Sequence, residues 1–180
     1  MRHGWWLWEA EIPSEDVDKI VEKCKQLETL DATIGGGNYS DAVRVTDVAF
    51  VEDEEIDKMV MHYVNKANDY AFGFDIDQKN VVQFGEYNAG GFFEWHLDNN
   101  YINDRFFDRK LTFLMMLSDE SEYQGGDFEI KINGEETRVD VLKRKGSIIV
   151  FPSFFEHRVT PVTSGVRRTL ASWVSGPNFK

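Results

Sequence analysis

Phe93-Glu94-Trp95-His96-Leu97-Asp98 is the stretch from which the rest of the chain is read outward. Its alternation is that of a β-strand, where residues two apart share a face. An imidazole, His96, and a carboxylate, Asp98, then stand side by side on one wall. A lone His-x-Asp is a weak signal. Its weight comes from the far end of the chain, where His157 and then Arg167 fall in further strand-like runs. Two histidines and one carboxylate that leave coordination positions open form a donor set suited to non-haem iron(II). By itself His157 reads better as a surface residue in the loop after Pro152-Ser153-Phe154-Phe155 than as a ligand.

The surroundings of this stretch are β throughout. From residue 80 onward short runs recur at 81–87, 92–98, 110–117, 127–132, 136–142, 147–151, 156–160 and 168–174. Between them lie Asn88-Ala89-Gly90-Gly91, Gln124-Gly125-Gly126, Asn133-Gly134 (a hairpin signal), Lys145-Gly146 and Ser164-Gly165. Many short strands at regular spacing indicate a jelly roll or barrel. Upstream the period changes. Residues 5–12 read as a strand ending at Pro13. Ser14 is a candidate N-cap with Glu15 and Asp16 behind it, and Val17, Ile20, Val21, Cys24 and Leu27 then follow helical spacing over 15–28. Gly35-Gly36-Gly37-Asn38 is a turn without the Lys-Ser/Thr of a phosphate loop. Residues 44–51 are β-rich. Asp53 opens a second helix with an apolar stripe from Ile56 to Tyr70, and His62 lies beside that stripe. The expected class is α+β, mainly β: one domain over 1–180, with supporting helices in 14–72 and a jelly-roll core over 80–175.

Composition narrows the function classes. The 180 residues carry a net charge of -12, concentrated in residues 1–80, where 8 Lys and Arg face 18 Asp and Glu. Such a chain repels phosphate backbones at long range, so nucleic-acid coating is not expected. No run approaches the ~18 apolar residues of a membrane span. Cys24 is the only cysteine, which excludes an intramolecular disulfide and fits a reducing, cytoplasmic setting. Cys24 also sits on the first helix's apolar stripe, as a core residue rather than a nucleophile. Arg167 and Arg168 must face opposite ways on a strand, and Thr169 and Trp173 share the parity of Arg167. A guanidinium beside a hydroxyl is a receptor for a carboxylate.

Residues 87–98, Tyr123-Gln124-Gly125-Gly126-Asp127-Phe128, 146–152 and the segment from Glu156-His157-Arg158 through Arg167 to Trp173 together resemble the prolyl 4-hydroxylase-like branch of the 2-oxoglutarate/iron(II) dioxygenases, a double-stranded β-helix family. The resemblance covers about residues 80–175. It implies iron(II) held by His96, Asp98 and His157, and 2-oxoglutarate contacted by Tyr87, nine positions before the first histidine. It further implies that Arg167, ten positions after the last histidine, pairs with the co-substrate's distal carboxylate together with Thr169, and that Trp173 lines the pocket. Oxygen is the third reactant, and ascorbate a candidate accessory. Leu114 and Leu117 could wall the co-substrate pocket or serve equally well as generic core residues, and Asn99, Asn100 and Tyr101 begin a loop near the entrance. The implied reaction is hydroxylation of an unactivated C–H bond, foremost of a prolyl residue in a peptide or protein. The alternatives are a free amino acid or other small metabolite as substrate, or a non-catalytic jelly-roll structural or metal-binding module. Oligomeric state is left open by the sequence.

Overall fold

The computed structural model describes residues 4–31, 43–79, 81–99 and 107–179. The Gly35–Asn38 turn and the candidate entrance residues Asn100 and Tyr101 lie outside the described residues. The strands are β1 (Trp6–Trp8), β2 (Leu30–Asp31), β3 (Arg44–Val45), β4 (Asp47–Val51), β5 (Gln78–Lys79), β6 (Val82–Tyr87), β7 (Phe92–His96) and β8 (Phe107–Met116). They continue as β9 (Tyr123–Gly125), β10 (Phe128–Ile132), β11 (Glu135–Arg138), β12 (Ile148–Pro152), β13 (His157–Val159), β14 (Val162–Gly165) and β15 (Arg167–Pro177). The helices are α1 (Ser14–Cys24) and α2 (Glu54–Ala67), the latter extended by a π-helical turn over Asn68–Phe72. The larger sheet runs β1-β12-β8-β15-β6-β4-β2, with β5 also paired to β15. The smaller runs β11-β10-β13-β7-β3, and β9 pairs with β14 apart from both. Every pairing among them is antiparallel. Two facing antiparallel sheets with helices on one outer face make the expected jelly roll.

The larger sheet is the middle layer of three, buried on both faces. Leu111, Phe113, Met115 and Leu117 in and just past β8, with Phe84, Ile148, Val150 and Leu170, meet Val17, Val21 and Cys24 of α1 and Ile56, Val60 and Val64 of α2. Their opposite-parity neighbours Leu114, Met116, Ile149 and Phe151 face Phe128, Ile130 and Val159 of the smaller sheet. The period of two therefore sorts each strand's residues into an outer core against the helices and an inner one between the sheets. Leu117 lies three positions from Leu114 and so falls in the helix-side core. It does not wall a pocket between the sheets.

Local signals act mostly as the chemistry dictates. The Asp53 carboxylate accepts from Glu55 N at 2.9 Å and Ile56 N at 3.1 Å, capping α2. Asn133 (φ 54°) and Gly134 (φ 84°) form the two-residue turn joining β10 to β11. Ser14 is instead the first helical residue, because the Pro13 carbonyl takes the N–H groups of Asp16 and Val17 and no side chain caps α1. The helix ends at Cys24, not at 28, and Leu27 leaves the buried stripe. Tyr70 leaves the second stripe in the π turn, exposed and stacked on Trp6 at 5.8 Å, and His62 is exposed. β9 and β14 occupy stretches whose glycines read as turns alone.

Candidate active site

Between the sheets is a cavity of about 530 Å³, counted out to its open mouth. His96 closes β7, His157 opens β13, and these two residues are cross-strand partners in one ladder. Asp98 follows two positions later, where its N–H bonds the Ser153 carbonyl at 3.0 Å and pins this end of the sheet to the loop before β13. Adjacency of β7 and β13 thus joins residues 61 positions apart, and all three side chains are buried. His96 Nε2 lies 3.6 Å from Asp98 Oδ1, and His157 Nε2 lies 3.4 Å from Asp98 Oδ2.

The two imidazoles are oriented by the same device. His96 Nδ1 bonds the carbonyl of Glu94 at 2.8 Å, and His157 Nδ1 bonds that of Phe155 at 3.0 Å. A carbonyl only accepts, so Nδ1 carries the proton on each ring and Nε2 presents its lone pair. Phe93 stacks flat on the His96 ring at 3.5 Å, fixing its plane. Burial, reinforced by the neighbouring His157, pushes the His96 pKa down to about 3 against the pull of Asp98. Burial works against the Asp98 charge, but the two imidazoles, the Thr112 hydroxyl and the nearby Trp173 indole outweigh it and hold the carboxyl below its usual range. Thr112 Oγ1 donates to Asp98 Oδ2 at 2.7 Å and bonds Ser153 Oγ at 3.0 Å. A neutral His96 imidazole and an ionised Asp98 carboxylate are the protonation states a divalent cation needs.

The donor atoms of His96, Asp98 and His157 all lie within 4.8 Å of one another, and among the described residues no fourth His, Cys, Asp or Glu joins the group. The residues therefore fit a metal bound on one face with its other positions open, as for non-haem iron(II), and not a closed four-ligand structural zinc. Cys24, the one thiol, is buried in the helix-side core across the larger sheet, where burial pushes its pKa up to about 11.

Deeper in the cavity stands a buried guanidinium with free donors. Arg167, 1 % exposed, is the cross-strand partner of Tyr87, and its guanidinium lies 5.2 Å over that ring. Nη2 bonds Met116 Sδ at 3.4 Å and the Tyr123 hydroxyl stands near the guanidinium, while among the described residues Nε and Nη1 are buried without a hydrogen-bond partner. A buried cation with unpaired donors costs several kcal/mol unless an anion meets it, so the site is built to be completed by one. Thr169 lines the same cavity two positions on, with Ala171 and Trp173. The buried Trp173 indole N–H lies near the Asp98 carboxylate but short of a full hydrogen bond. Arg168 points the other way, into an ion pair with Glu86 at 2.7 Å. Gly126 makes room for the arginine: a Cβ there would come within 2.8 Å of Arg167 Cδ, and its φ of +61° disfavours any side chain. Gly126, read from sequence as part of a turn, thus lies against Arg167.

Four contributors were invisible as such in the sequence. Thr112 and Phe93 orient metal-site residues. Arg109 sits 4.2 Å over the Trp173 ring with Nη1 3.3 Å from the Asp98 carbonyl, placed there by a register shift where β8 meets β15 near residues 174–175. Arg44, on the edge strand β3, lines the cavity from the smaller sheet. Leu114 lines the cavity as expected.

Comparison with known proteins is consistent with this geometry. Residues 82–175 match the family model of the 2OG-Fe(II) oxygenase superfamily. A PKHD-type hydroxylase of Synechococcus sp. (strain CC9605) is 40% identical over 87 residues, covering 48% of this chain and 37% of that one. Another from Crocosphaera subtropica is 25% identical over 169 residues, covering 91% of this chain and 74% of that one. In fold, the chain resembles a Pseudomonas putida prolyl-4-hydroxylase with a TM-score of 0.76 at 21% identity, covering 98% and 94% of the two chains. It also resembles a Trichoplax adhaerens prolyl hydroxylase, solved with a hypoxia inducible factor peptide fragment, with a TM-score of 0.77 at 15% identity over 95% and 83%. The matches to the first of the curated relatives span less than half of those proteins' length.

Proposed function

The chain belongs to the 2OG-Fe(II) oxygenase superfamily, and from that membership we propose that it is a hydroxylase dependent on iron(II), 2-oxoglutarate and oxygen. Its foremost substrate in this reading is a prolyl residue of a peptide or protein. The observation that carries the reading is the buried, unpaired Arg167 guanidinium in the same cavity as the His96–Asp98–His157 group. A metal site alone suits many proteins; a metal site sharing a cavity with a carboxylate receptor suits a dicarboxylate co-substrate.

Iron(II) together with 2-oxoglutarate supplies, when bound, the oxidising power to hydroxylate an unactivated C–H bond. The protein's residues supply placement. His96, Asp98 and His157 would hold the metal, with Nε2 of each imidazole presented by its backbone-anchored Nδ1–H. Arg167 and Thr169, beside Tyr87, would pair with the distal carboxylate and so fix the co-substrate's other end near the metal. Trp173, Leu114 and the aromatic wall of Phe128 and Phe151 keep the space between dry, which strengthens each charge contact. The jelly roll and its helices serve as one domain, and among the described residues no helix is long and apolar enough to cross a membrane. A reducing, cytoplasmic setting fits the single thiol, and the acidic balance argues against a nucleic-acid backbone as partner.

The test is direct. The protein incubated with iron(II), ascorbate and 2-oxoglutarate is expected to release succinate, and Asp98→Ala to abolish it. A prolyl peptide library read by mass for gain of one oxygen then identifies the substrate class. Bound iron with no succinate at all overturns the reading.

A further inference from the structure

Among the described residues, the cavity holds one cation more than the co-substrate accounts for. Arg44 faces it from the edge of the smaller sheet, on the wall opposite Arg167. Its Nη2 donates to Gln83 Oε1 at 3.0 Å, and its guanidinium lies 4.7 Å over the Phe93 ring, whose plane is stacked on His96. These contacts hold the group rigid beside the metal site without neutralising it. Gln83 offers a neutral oxygen to one of five donors, and Arg44 Nε is buried with no hydrogen-bond partner. Among the described residues no carboxylate lies within ion-pairing distance of Arg44.

The charges decide what is missing. With the oxygenase reading in force, a metal dication, Arg44 and Arg167 face Asp98 and the two carboxylates of 2-oxoglutarate. One positive charge is left over in a space walled largely by aromatic and aliphatic side chains, where an uncompensated charge is costly. A neutral prolyl peptide leaves that excess in place. A substrate with one carboxylate near its reacting carbon cancels it.

Resting on the oxygenase reading, we infer that the substrate is a prolyl compound bearing a carboxylate beside the ring, and that Arg44 is the residue that reads it. The carboxylate has two sources, the free acid of a terminal or single prolyl unit or the side chain of an acidic neighbour in a peptide. A guanidinium discriminates either from the corresponding amide, because the amide keeps the shape and loses the charge.

The experiment uses the full chain loaded with manganese(II), as a redox-inert stand-in, and 2-oxoglutarate. It is titrated by calorimetry with two matched pairs: acetylproline against its amide, and acetyl-Glu-Pro-Gly-amide against the Gln analogue. The acid of one pair is expected to bind about tenfold more tightly than its amide, a usual worth for a partly buried charge-assisted pair. The pair that shows the difference identifies the source. Arg44→Gln is expected to bring acid and amide within about twofold, and Arg44→Lys, which keeps the charge but not the fork, to retain part of the preference. Equal binding of acid and amide in both pairs by the unmutated protein, binding of none of the four, or a preference that survives Arg44→Gln overturns the inference. Succinate release measured in parallel with iron(II) separates the two levels: succinate with no acid preference removes only the role of Arg44, whereas no succinate removes the oxygenase reading itself.

Discussion

The two faces of the larger sheet are made from the same strands and put to opposite uses. Toward the helices, Phe84, Phe113, Met115 and Leu170 close against α1 and α2, and every side chain finds an apolar neighbour. Toward the smaller sheet, the alternate residues of those strands are Tyr87, Thr112, Arg167, Thr169 and Trp173, which leave a cavity and unpaired buried donors. One face lowers the free energy of the fold. The other spends part of that stability on buried donors that the described residues leave unpaired. Neighbouring residues on one strand therefore belong to different problems, and substitutions one position apart are expected to have unlike consequences.

The widest separation is expected between Phe113 and Arg167. Phe113→Ala opens a hole in the helix-side core and is expected to cost about 3–5 kcal/mol in denaturant unfolding while metal binding by the remaining folded fraction persists. Arg167→Met fills nearly the same volume without a charge. It is expected to leave stability unchanged or raise it by ~1–4 kcal/mol, as replacement of a buried charge by an apolar side chain does. The same change is expected to weaken 2-oxoglutarate binding by ~2–5 kcal/mol. Unfolding curves and calorimetry on the two variants measure both axes. If Arg167→Met proves the more destabilised protein, the division of labour between the faces is wrong.

A smaller effect isolates the support beneath the metal site. Thr112→Val keeps the shape of a residue on the cavity face and removes the hydroxyl that donates to Asp98 Oδ2. Such outer partners are worth about 10–100-fold in metal affinity, and a competition titration with a metal indicator checks it. Stability is expected to fall by about 1–3 kcal/mol, because the buried Ser153 Oγ loses its Thr112 partner.

The remaining expected effect is on the pH dependence of the metal-free protein. His96 is held to a pKa of about 3 by burial, below the ~6.5 of an unfolded histidine. Between these values the unfolded chain takes up a proton that the folded chain refuses, so acidification through this window destabilises the metal-free protein, by at most ~1.4 kcal/mol per pH unit from this residue. Above about pH 6.5 the contribution is absent. Asp98, with its carboxyl held below the ordinary range, adds a loss in the same direction at lower pH. A His96→Asn variant, followed by thermal unfolding from pH 7 to 4, is expected to show the shallower slope.

Much of this was legible in the chain because strand periodicity is a local rule. The alternation placed His96 with Asp98 and Arg167 with Thr169 and Trp173, and it separated Arg167 from Arg168. It also assigns Leu114 and Leu117 to opposite faces, which pairing them as walls of one pocket had overlooked. The helix ends were less legible. Ser14 has a capping side chain and does not cap, because the Pro13 carbonyl and the packing of Val17 fix where α1 begins. Arg44, Phe93, Thr112 and Arg109 could not be found by motif, since each acquires its role from a partner distant in sequence.

What the sequence determined by itself is the alternation of each strand, the turn chemistry between strands and the types of the donor residues, all properties of a few consecutive residues. Tertiary structure alone decided that β7 lies beside β13, so that His96 and His157 become cross-strand partners about one carboxylate. It also decided that Gly126 sits beneath Arg167 and that Arg44 and Arg167 share one cavity. Those facts depend on which strands pair and how the two sheets face, and pairing is set by burial summed over the whole chain rather than by any one stretch of it.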